Sequence, residues 1–179
     1  MAELVAPHLR YMASFLEALG EGHHRDTLRP ETPEMIAEVA AEPDAYVASL
    51  LSPPGELILP DGRVGLAVPS TMLWQVEGET YLGWINIRHG LNANLEKAGG
   101  HIGYAVRPSA RGRGHAAAML AGGLDWVRAN LPLERVLLTV NPANPHSIRV
   151  IEKNGGVHAD TIDHPWRPGE QMMRYWIAL

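Results

Sequence analysis

The sequence predicts one mixed α/β domain in which helices come first and a sheet follows. Three observations predict it. Apolar residues before residue 55 recur with a helical period, and those after it alternate in short runs between turn residues. The length of 179 residues is that of one ordinary domain. We therefore expect N-terminal helices over residues 1–54 and a sheet with the binding site over residues 55–179.

The region before residue 55 contains three predicted helices. The apolar residues between Leu9 and Leu19 are spaced so that they share one helix face. A second helix begins at Thr32-Pro33, a side-chain cap followed by proline at the first helical position. Asp44 caps a third, short helix, which ends before Pro53-Pro54-Gly55.

The rest of the chain shows strands and two further helices. Pro60-Asp61-Gly62 and Gly78-Glu79 are turn sequences, so we expect an antiparallel pair of strands around each. A helix over 114–131 joins the next two strands, which favours a parallel or near-parallel pair. Asn144 caps the last helix, and Gly155-Gly156 ends it. The predicted strands are 56–59, 64–68, 71–77, 80–88, 102–106, 136–140, 157–162 and 172–178.

Composition excludes several classes of protein. The chain has no cysteine, which removes disulfide frameworks, thiolate zinc sites and cysteine nucleophiles. Fifteen Lys and Arg against twenty Asp and Glu, a net charge of -5, argue against a nucleic-acid partner. The nine histidines show no metal-ligand spacing, so we expect no metal. Neither a signal peptide nor a membrane span is indicated, so we expect a cytoplasmic protein without a membrane partner.

One segment between a predicted strand and a helix is rich in arginine and glycine, with Arg107, Arg111, Gly112, Arg113 and Gly114. Free backbone amides at a helix N-terminus attract anions, and glycine lets a phosphate approach the backbone. The alternative to an anion site is a basic turn that contacts only solvent. The loop of nucleoside triphosphatases needs a lysine before Ser or Thr, which this segment lacks. The match to a dinucleotide fingerprint is weak, because no acidic residue ends the next strand.

At this segment the sequence resembles the GNAT superfamily of acyl-coenzyme-A-dependent N-acyltransferases. The phosphate motif of that family is Gln or Arg, two residues, Gly, one residue, and Gly or Ala, which Arg111 to Ala116 match. A second family element follows at the expected distance: a strand ending at Asn141, then Asn144 and Glu152-Lys153-Asn154-Gly155. The run from Gly83 to Tyr104 is similar to a bacterial subgroup of predicted acetyltransferases.

The resemblance implies both a fold and an acyl donor. The implied fold is a mostly antiparallel mixed sheet with a central splayed parallel strand pair, N-terminal helices and two helices after the phosphate loop. The implied donor is acetyl-CoA, with its pyrophosphate on the motif backbone and its pantetheine arm along the preceding strand and at Asn144. A plain helix N-cap is the alternative for Asn144. The implied cofactor-binding residues are Tyr104, Ala105, Val106, Arg107, Arg111, Gly112, Arg113, Gly114, His115, Ala116, Asn144 and Ser147.

Catalytic roles follow less directly from the resemblance. Many relatives carry Glu before Ile-Gly-Tyr, where this chain has His101. An imidazole with a pKa of about 6.5 is a suitable base, so we predict this role; a histidine held by a neighbouring group is the alternative. The tyrosine that protonates the departing thiolate in relatives is Ile151 here, and Ser147 is the substitute candidate. A thiol with a pKa near 8.5 also leaves tolerably as the thiolate.

Substrate contacts are predicted near the end of the strand at 80–88. If this strand pairs with the next about a loop centred near residue 95, His89 faces His101 on one side of the sheet. Arg88 and His89 then lie near the acceptor, and Arg88 can hold a carboxylate or phosphate; a surface pair is the alternative. Trp84 is a further substrate candidate, with a core position as its alternative.

Two functions remain open at this point. The first is an N-acetyltransferase that passes an acetyl group from acetyl-CoA to an amine of a small molecule or peptide. Direct attack in a ternary complex fits the lack of cysteine. The second is a coenzyme-A-binding sensor or interaction module without turnover, suggested by Ile151. A homodimer stays open as the assembly.

Overall fold

The computed structural model of the chain describes residues 1–25, 31–52, 55–58, 62 and 64–179, and the side chains of 57 and 58 are not described. The predicted helix end at Pro53-Pro54 and the predicted turn at Pro60-Asp61 therefore lie outside the described residues. Among the described residues, three α-helices form the N-terminal region, as predicted: α1 (Met12–Gly20), α2 (Pro33–Ala41) and α3 (Pro43–Leu51). The predicted cap of α3 at Asp44 is wrong, because Asp44 lies in the first turn of the helix. Thr32 caps α2 as expected, because its Oγ1 accepts the Met35 N–H at 3.3 Å.

Three helices follow in the second part of the chain, α4 (Ala93–Lys97), α5 (His115–Asn130) and α6 (Pro145–Lys153). The two longer ones agree with the predicted helices. The five residues of α4 were not predicted, because one and a half turns are too short for a helical period to show. The Asn92 side chain caps α4 by accepting the N–H groups of Asn94 and Leu95 at 3.1 and 3.0 Å.

The described strands form three antiparallel sheets. The first has the order β1-β4-β5-β6, the second pairs β2 with β3, and the third has the order β7-β9-β8. The strand β1 was not predicted, since its three residues carry no periodic signal. The strands are β1 (Glu3–Val5), β2 (Glu56–Ile58), β3 (Val64–Leu66), β4 (Ser70–Glu77), β5 (Thr80–Arg88), β6 (Ile102–Val106), β7 (Arg135–Val140), β8 (Val157–Asp163) and β9 (Gln171–Ala178).

Two apolar cores hold the sheets to the helices. The larger core lies under α5 and α6 and joins the first and third sheets. Gly123 of α5 lies against Ile85 of β5, where a Cβ would overlap the isoleucine side chain, so the helix packs closely on the sheet. The second core joins α1 to the other part of the first sheet, with Phe15 stacked on Trp74 at 5.0 Å between ring centroids.

The strands β6 and β7 are the splayed pair that the fold prediction requires. The His101 N–H, just before β6, donates to the Leu137 carbonyl of β7 at 2.7 Å. Beyond this junction the two strands belong to different sheets. The residues that follow it, Ile102 to Tyr104 and Leu138 to Asn141, line a cavity between the strands. Both strands therefore run away from the junction on the same side, with a cleft between them.

Candidate active site

The phosphate loop lies between the end of β6 and the start of α5. Pro108 to Ala110 form a 3-10 turn, and Gly112 and Gly114 take positive φ angles of +75° and +84°. Only glycine adopts these angles readily, and a Cβ at either glycine would meet open space. Gly114 is the N-cap of α5 and supplies no side-chain acceptor. The first amides of this 16-residue helix are therefore without a side-chain cap, and Gly114 in front of them is exposed.

The three arginines of this loop do not share one environment. Arg111 and Arg113 are exposed, and Arg111 Nε donates to the Val106 carbonyl at 3.2 Å. Arg107 is buried instead, and its guanidinium pairs with the Glu21 carboxylate at the end of α1. The predicted side-chain contact of Arg107 with a phosphate is therefore corrected, because Glu21 already neutralises this guanidinium.

Glu21 also holds the loop in place. Its carboxylate accepts the Ser109 N–H and hydroxyl, each at 3.0 Å, in addition to the Arg107 guanidinium. These bonds to the charged carboxylate, the Arg107 bond above all, lower the pKa of Glu21 from 4.5 to about 2. The carboxylate is thus ionised at any ordinary pH and fastens the phosphate loop to α1.

The cleft between β6 and β7 opens into a cavity of about 810 Å³. Its walls come from β2, β3 and the segment that follows β3, from β5, β6, β7 and α6, from the segment around α4, and from the turn between β8 and β9. The Tyr104 hydroxyl of β6 lies 2.7 Å from Ser147 Oγ of α6, so a hydrogen bond crosses the cleft. Burial raises the pKa of Tyr104, so the phenol stays protonated at neutral pH.

Asn144 caps α6 at the same cleft. Its Oδ1 accepts the Ser147 N–H at 3.1 Å, and the residue also lines the cavity. The cap uses the oxygen of the carboxamide, so its nitrogen remains available to a ligand in the cleft. The two interpretations of Asn144, helix cap and pantetheine contact, are therefore compatible.

His101 belongs to the junction of the two strands and lies outside the cavity lining. Its ring is 4% exposed, and Nδ1 accepts the Leu137 N–H at 2.8 Å. Burial, aided by the Arg88 charge, lowers the pKa of His101 from 6.5 to about 4. The neutral ring thus carries its proton on Nε2 and has no free lone pair. The prediction of His101 as the general base is corrected: the ring holds β6 to β7.

The predicted register of β5 and β6 was wrong by one position. Ile87 pairs with Ile102, so Arg88 faces His101 and His89 does not. His89 turns to the other face, where its Nε2 lies 2.9 Å from Thr71 Oγ1 and its ring stacks on Trp126. The substrate role predicted for His89 is therefore corrected, because its side chain lies away from the cavity.

Trp84 is also a structural residue. It is 4% exposed, belongs to the core around α1, and its indole N–H donates to the His24 carbonyl at 2.7 Å. The core position weighed as its alternative is the one observed. Of the predicted substrate contacts, Arg88 alone lines the cavity.

A match to a family model establishes the relationship to known proteins. The model describes an acetyltransferase (GNAT) domain and matches residues 27–157. The chain belongs to the GNAT acetyltransferase family. No curated protein sequence matches the chain.

Solved GNAT structures share the fold of this chain at low identity. Mycobacterium smegmatis RimJ, in complex with a CoA disulfide, is 21% identical with a TM-score of 0.70, over 99% of this chain and 81% of that one. RimL, a ribosomal-protein α-N-acetyltransferase in complex with coenzyme A, is 12% identical with a TM-score of 0.62, over 99% and 94%. Spermidine/spermine N-acetyltransferase SpeG of Vibrio cholerae, in mutant form, is 12% identical with a TM-score of 0.63, over 99% and 95%.

The departure of this GNAT protein at Ile151 is visible in the cavity. Ile151 is 1% exposed, belongs to the larger core, and also lines the cleft. No proton donor is available from an isoleucine. The hydroxyls that this part of the cleft does present are those of Tyr104 and Ser147.

The turn between β8 and β9 contributes residues that the sequence analysis did not assign to the site. His164, Trp166, Arg167 and Glu170 line the cavity. The Glu170 carboxylate oxygen Oε2 accepts a hydrogen bond from Asn141 Nδ2 at 3.3 Å and lies 3.6 Å from Arg167 Nη1. The polar and aromatic residues of this turn could have marked it as a candidate binding segment. The sequence did not show the strand order β7-β9-β8, which brings the turn to the cleft.

The described part of the chain shows neither a metal centre nor a membrane-spanning helix. Residues 1–25, 31–52, 55–58, 62 and 64–179 contain no group of three or more His, Cys, Asp or Glu arranged to hold a metal ion. Among the described helices, none is long and apolar enough to cross a bilayer.

Proposed function

We propose that this GNAT protein transfers an acetyl group from acetyl-CoA to a primary amine, in a ternary complex. One observation carries the proposal: a single cavity contains both the cleft between β6 and β7 and a pocket beside it, which polar residues such as Asn86, Arg88 and Glu170 line. A thioester in the cleft and an amine in the pocket can therefore meet directly. Because the chain has no cysteine, no thiol of the protein is available to carry the acetyl group between them.

The residues of the cleft fit coenzyme A. The first amides of α5 have no side-chain cap, and Gly112 and Gly114 before them are exposed and carry no side chain that would obstruct a pyrophosphate. Arg111 and Arg113 are exposed beside these glycines and can add charge-assisted contacts. The backbone of β6 from Tyr104 to Val106 and the Asn144 side chain would hold the pantetheine arm. RimJ and RimL, which share the fold, are coenzyme A complexes.

The chemistry asks little of the protein beyond positioning. The amine nitrogen forms a bond to the thioester carbon, the C–S bond breaks, the nitrogen loses a proton and the sulfur gains one. A thiol with a pKa of about 8.5 leaves readily, and the hydroxyls of Tyr104 and Ser147 can donate hydrogen bonds to the departing sulfur. We therefore assign these two hydroxyls to the sulfur end of the cleft.

Loss of His101 as a base favours acceptors of low basicity. An α-amine with a pKa of about 8 is roughly one-quarter neutral at about pH 7.5, whereas a lysine-like amine with a pKa of about 10.4 is roughly one-thousandth neutral. An α-amine of a peptide can thus react without a dedicated base of the protein. The amine of a free amino acid is made more basic by its own carboxylate, so a smaller fraction of it is neutral at this pH. We propose a primary amine of a small molecule or of a peptide as the acceptor.

Acetyl-CoA binding and thiol release test the function separately. Calorimetry should show binding of acetyl-CoA, and a panel of amines should include members that release free coenzyme A from it at a rate set by the enzyme concentration. Binding without release by any amine would support a coenzyme-A-binding module instead of an enzyme. No binding at millimolar acetyl-CoA would contradict both functions.

A further inference from the structure

Arg88 is a cation in the wall of the cavity, and no carboxylate among the described residues forms an ion pair with it. It ends β5, is partly buried, and donates from one terminal nitrogen to the carbonyls of Gly99 and Gly100 at 3.1 and 3.0 Å. It forms no ion pair with any described residue. The buried Arg107, in contrast, pairs with Glu21. Burial without a counterion disfavours the charge and lowers the pKa of Arg88, as expected for a desolvated guanidinium.

The turn that holds Arg88 packs closely against β7. Gly100 has a φ of +59°, and a Cβ there would overlap the Leu137 carbonyl, so the turn lies directly on β7. The Gly99 N–H donates to Thr139 Oγ1 at 2.9 Å. Both carbonyls that accept from Arg88 therefore belong to a turn that β7 holds. The Nε and the second terminal nitrogen of the guanidinium make no hydrogen bond within the described chain, and together they form a fork that fits a carboxylate.

A second free donor lies two residues earlier on the same face of β5. Asn86 lines the cavity, and its carboxamide makes no hydrogen bond to a described residue. Residues two apart in a strand share one face of the sheet. Unpartnered polar groups in a cavity are expected to find their partners in a ligand.

The other walls carry the opposite charge. Glu56 and Glu170 line the cavity, and Glu170 has Arg167 beside it. A cavity with an unpaired cation on one wall and carboxylates on others suits a ligand that carries both charges. It suits a polyamine poorly, since each ammonium group placed near Arg88 would be repelled.

We propose that Arg88 binds a carboxylate of the acceptor, which makes the acceptor an amino-acid-like small molecule. The inference rests on the proposed acetyl transfer and names its substrate class. Arg88 pairs with His101, directly beside Ile102 and Gly103 of the cleft. The carboxylate therefore lies close to the reacting thioester, and the amine is separated from it by few bonds, as in α- and β-amino acids.

Matched amines test this assignment. Thiol release from acetyl-CoA is measured with alanine, leucine, phenylalanine and β-alanine, and with the amide and the decarboxylated amine of each. The carboxylate-bearing members should show kcat/KM about 30- to 100-fold above their partners, as expected for a charge-assisted bidentate contact. Arg88→Met should reduce this ratio to about one, and Arg88→Lys, which keeps the charge without the fork, should leave an intermediate ratio.

Controls distinguish the contact between Arg88 and the acceptor carboxylate, the carboxylate clamp, from effects on folding and on acetyl-CoA binding. Arg128→Met removes an exposed arginine that pairs with Asp125 on α5, and the ratio should stay at its wild-type value. Acetyl-CoA affinity and melting temperature are measured for every variant. Arg88 also holds the Gly99–Gly100 turn, so Arg88→Met could fail to fold. In that case the comparison of acids with amides and decarboxylated amines is made with Arg88→Lys.

The outcomes distinguish the two proposals. Equal turnover of acids, amides and decarboxylated amines by the wild type would overturn the clamp and leave acetyl transfer standing. Equal loss of all three classes in Arg88→Met or Arg88→Lys would also overturn it. If no amine is turned over, the same acids and amides are titrated by calorimetry into the protein with coenzyme A. Binding of the acids that Arg88→Lys weakens would support the clamp, and no binding would overturn it.

Discussion

The two helices that begin at the cleft differ in how their first amides are satisfied. The N-terminus of α5 has the exposed Gly114 as N-cap and no side-chain acceptor. The N-terminus of α6 has Asn144, whose side chain caps it, and Ser147, which Tyr104 reaches from β6. The difference supports the proposed placement of the donor: the amides of α5 have no side-chain cap and are left for an anion, whereas α6 is capped by its own residue and presents side chains.

The largest effect is expected from closing the open helix end. Gly114→Trp places a bulky side chain in the space in front of the α5 amides, and we expect acetyl-CoA affinity to fall at least a hundredfold, about 3 kcal/mol. Calorimetry measures it. The matched control is Gly78→Trp in the β4–β5 turn, because Gly78 also has a positive φ, +60°, and open space. Unchanged affinity in Gly114→Trp, with the control also unchanged, would contradict an anion site at α5.

The second effect concerns the junction of β6 and β7, the two strands that precede α5 and α6. His101→Ala leaves the buried Leu137 N–H without its acceptor and should cost about 1–3 kcal/mol of unfolding free energy. His101→Asn offers an oxygen in place of Nδ1 and should recover most of that loss. Denaturant unfolding measures both variants. Equal stability of the two variants would argue against the hydrogen bond as the cause.

The same histidine gives a pH dependence. Its pKa in the folded protein is about 4, below the ordinary 6.5, so its contribution to stability is complete above pH 6.5 and is lost as the pH falls to 4. His101→Asn should reduce the slope of stability against pH in this window by up to about 1.4 kcal/mol per pH unit. His23, whose pKa burial also lowers to about 4, keeps part of the slope. The pH profile of acetyl transfer above pH 6.5 should stay as in the wild type.

The third effect is at the capped helix end. Asn144→Ala should cost about 1 kcal/mol of stability through the lost cap and should weaken acetyl-CoA binding about fivefold through the lost carboxamide. Asn144→Ser restores a capping oxygen, so it should recover stability and leave the affinity low. Recovery of both quantities in Asn144→Ser would show that the residue acts through the cap alone.

The smallest effect is expected at the hydrogen bond that crosses the cleft. Tyr104→Phe and Ser147→Ala each remove one hydroxyl of the pair. We expect each variant to lower the free energy of unfolding by about 0.5–1 kcal/mol, measured by denaturant unfolding. The double variant should lose less than the sum of the two, because both remove the same bond. Additive losses would mean that the two hydroxyls do not interact in solution.

The sequence located the proposed donor loop in the fold far better than the other walls of the cavity. The loop is a local motif, so the position of Arg111 to Ala116 between a strand and a helix was predicted without knowledge of the sheet. The roles of Arg88 and His89 depended on a register set by α4 and the Gly99–Gly100 turn, and a shift of one residue exchanged their faces. His164 and Glu170 required the order of β8 and β9, which no local pattern specifies.

The bond between Glu21 and Arg107 also bears on how the molecule assembles. These residues are 86 positions apart in the sequence, yet the carboxylate fixes the loop that precedes the open helix end. Local hydrogen bonds shape the turn at Ala110 and Arg111, whereas both hydrogen bonds of Ser109 go to the Glu21 carboxylate. We therefore expect the loop to take its final shape only when α1 is docked on the sheet, so that assembly of the N-terminal region controls when the donor can bind.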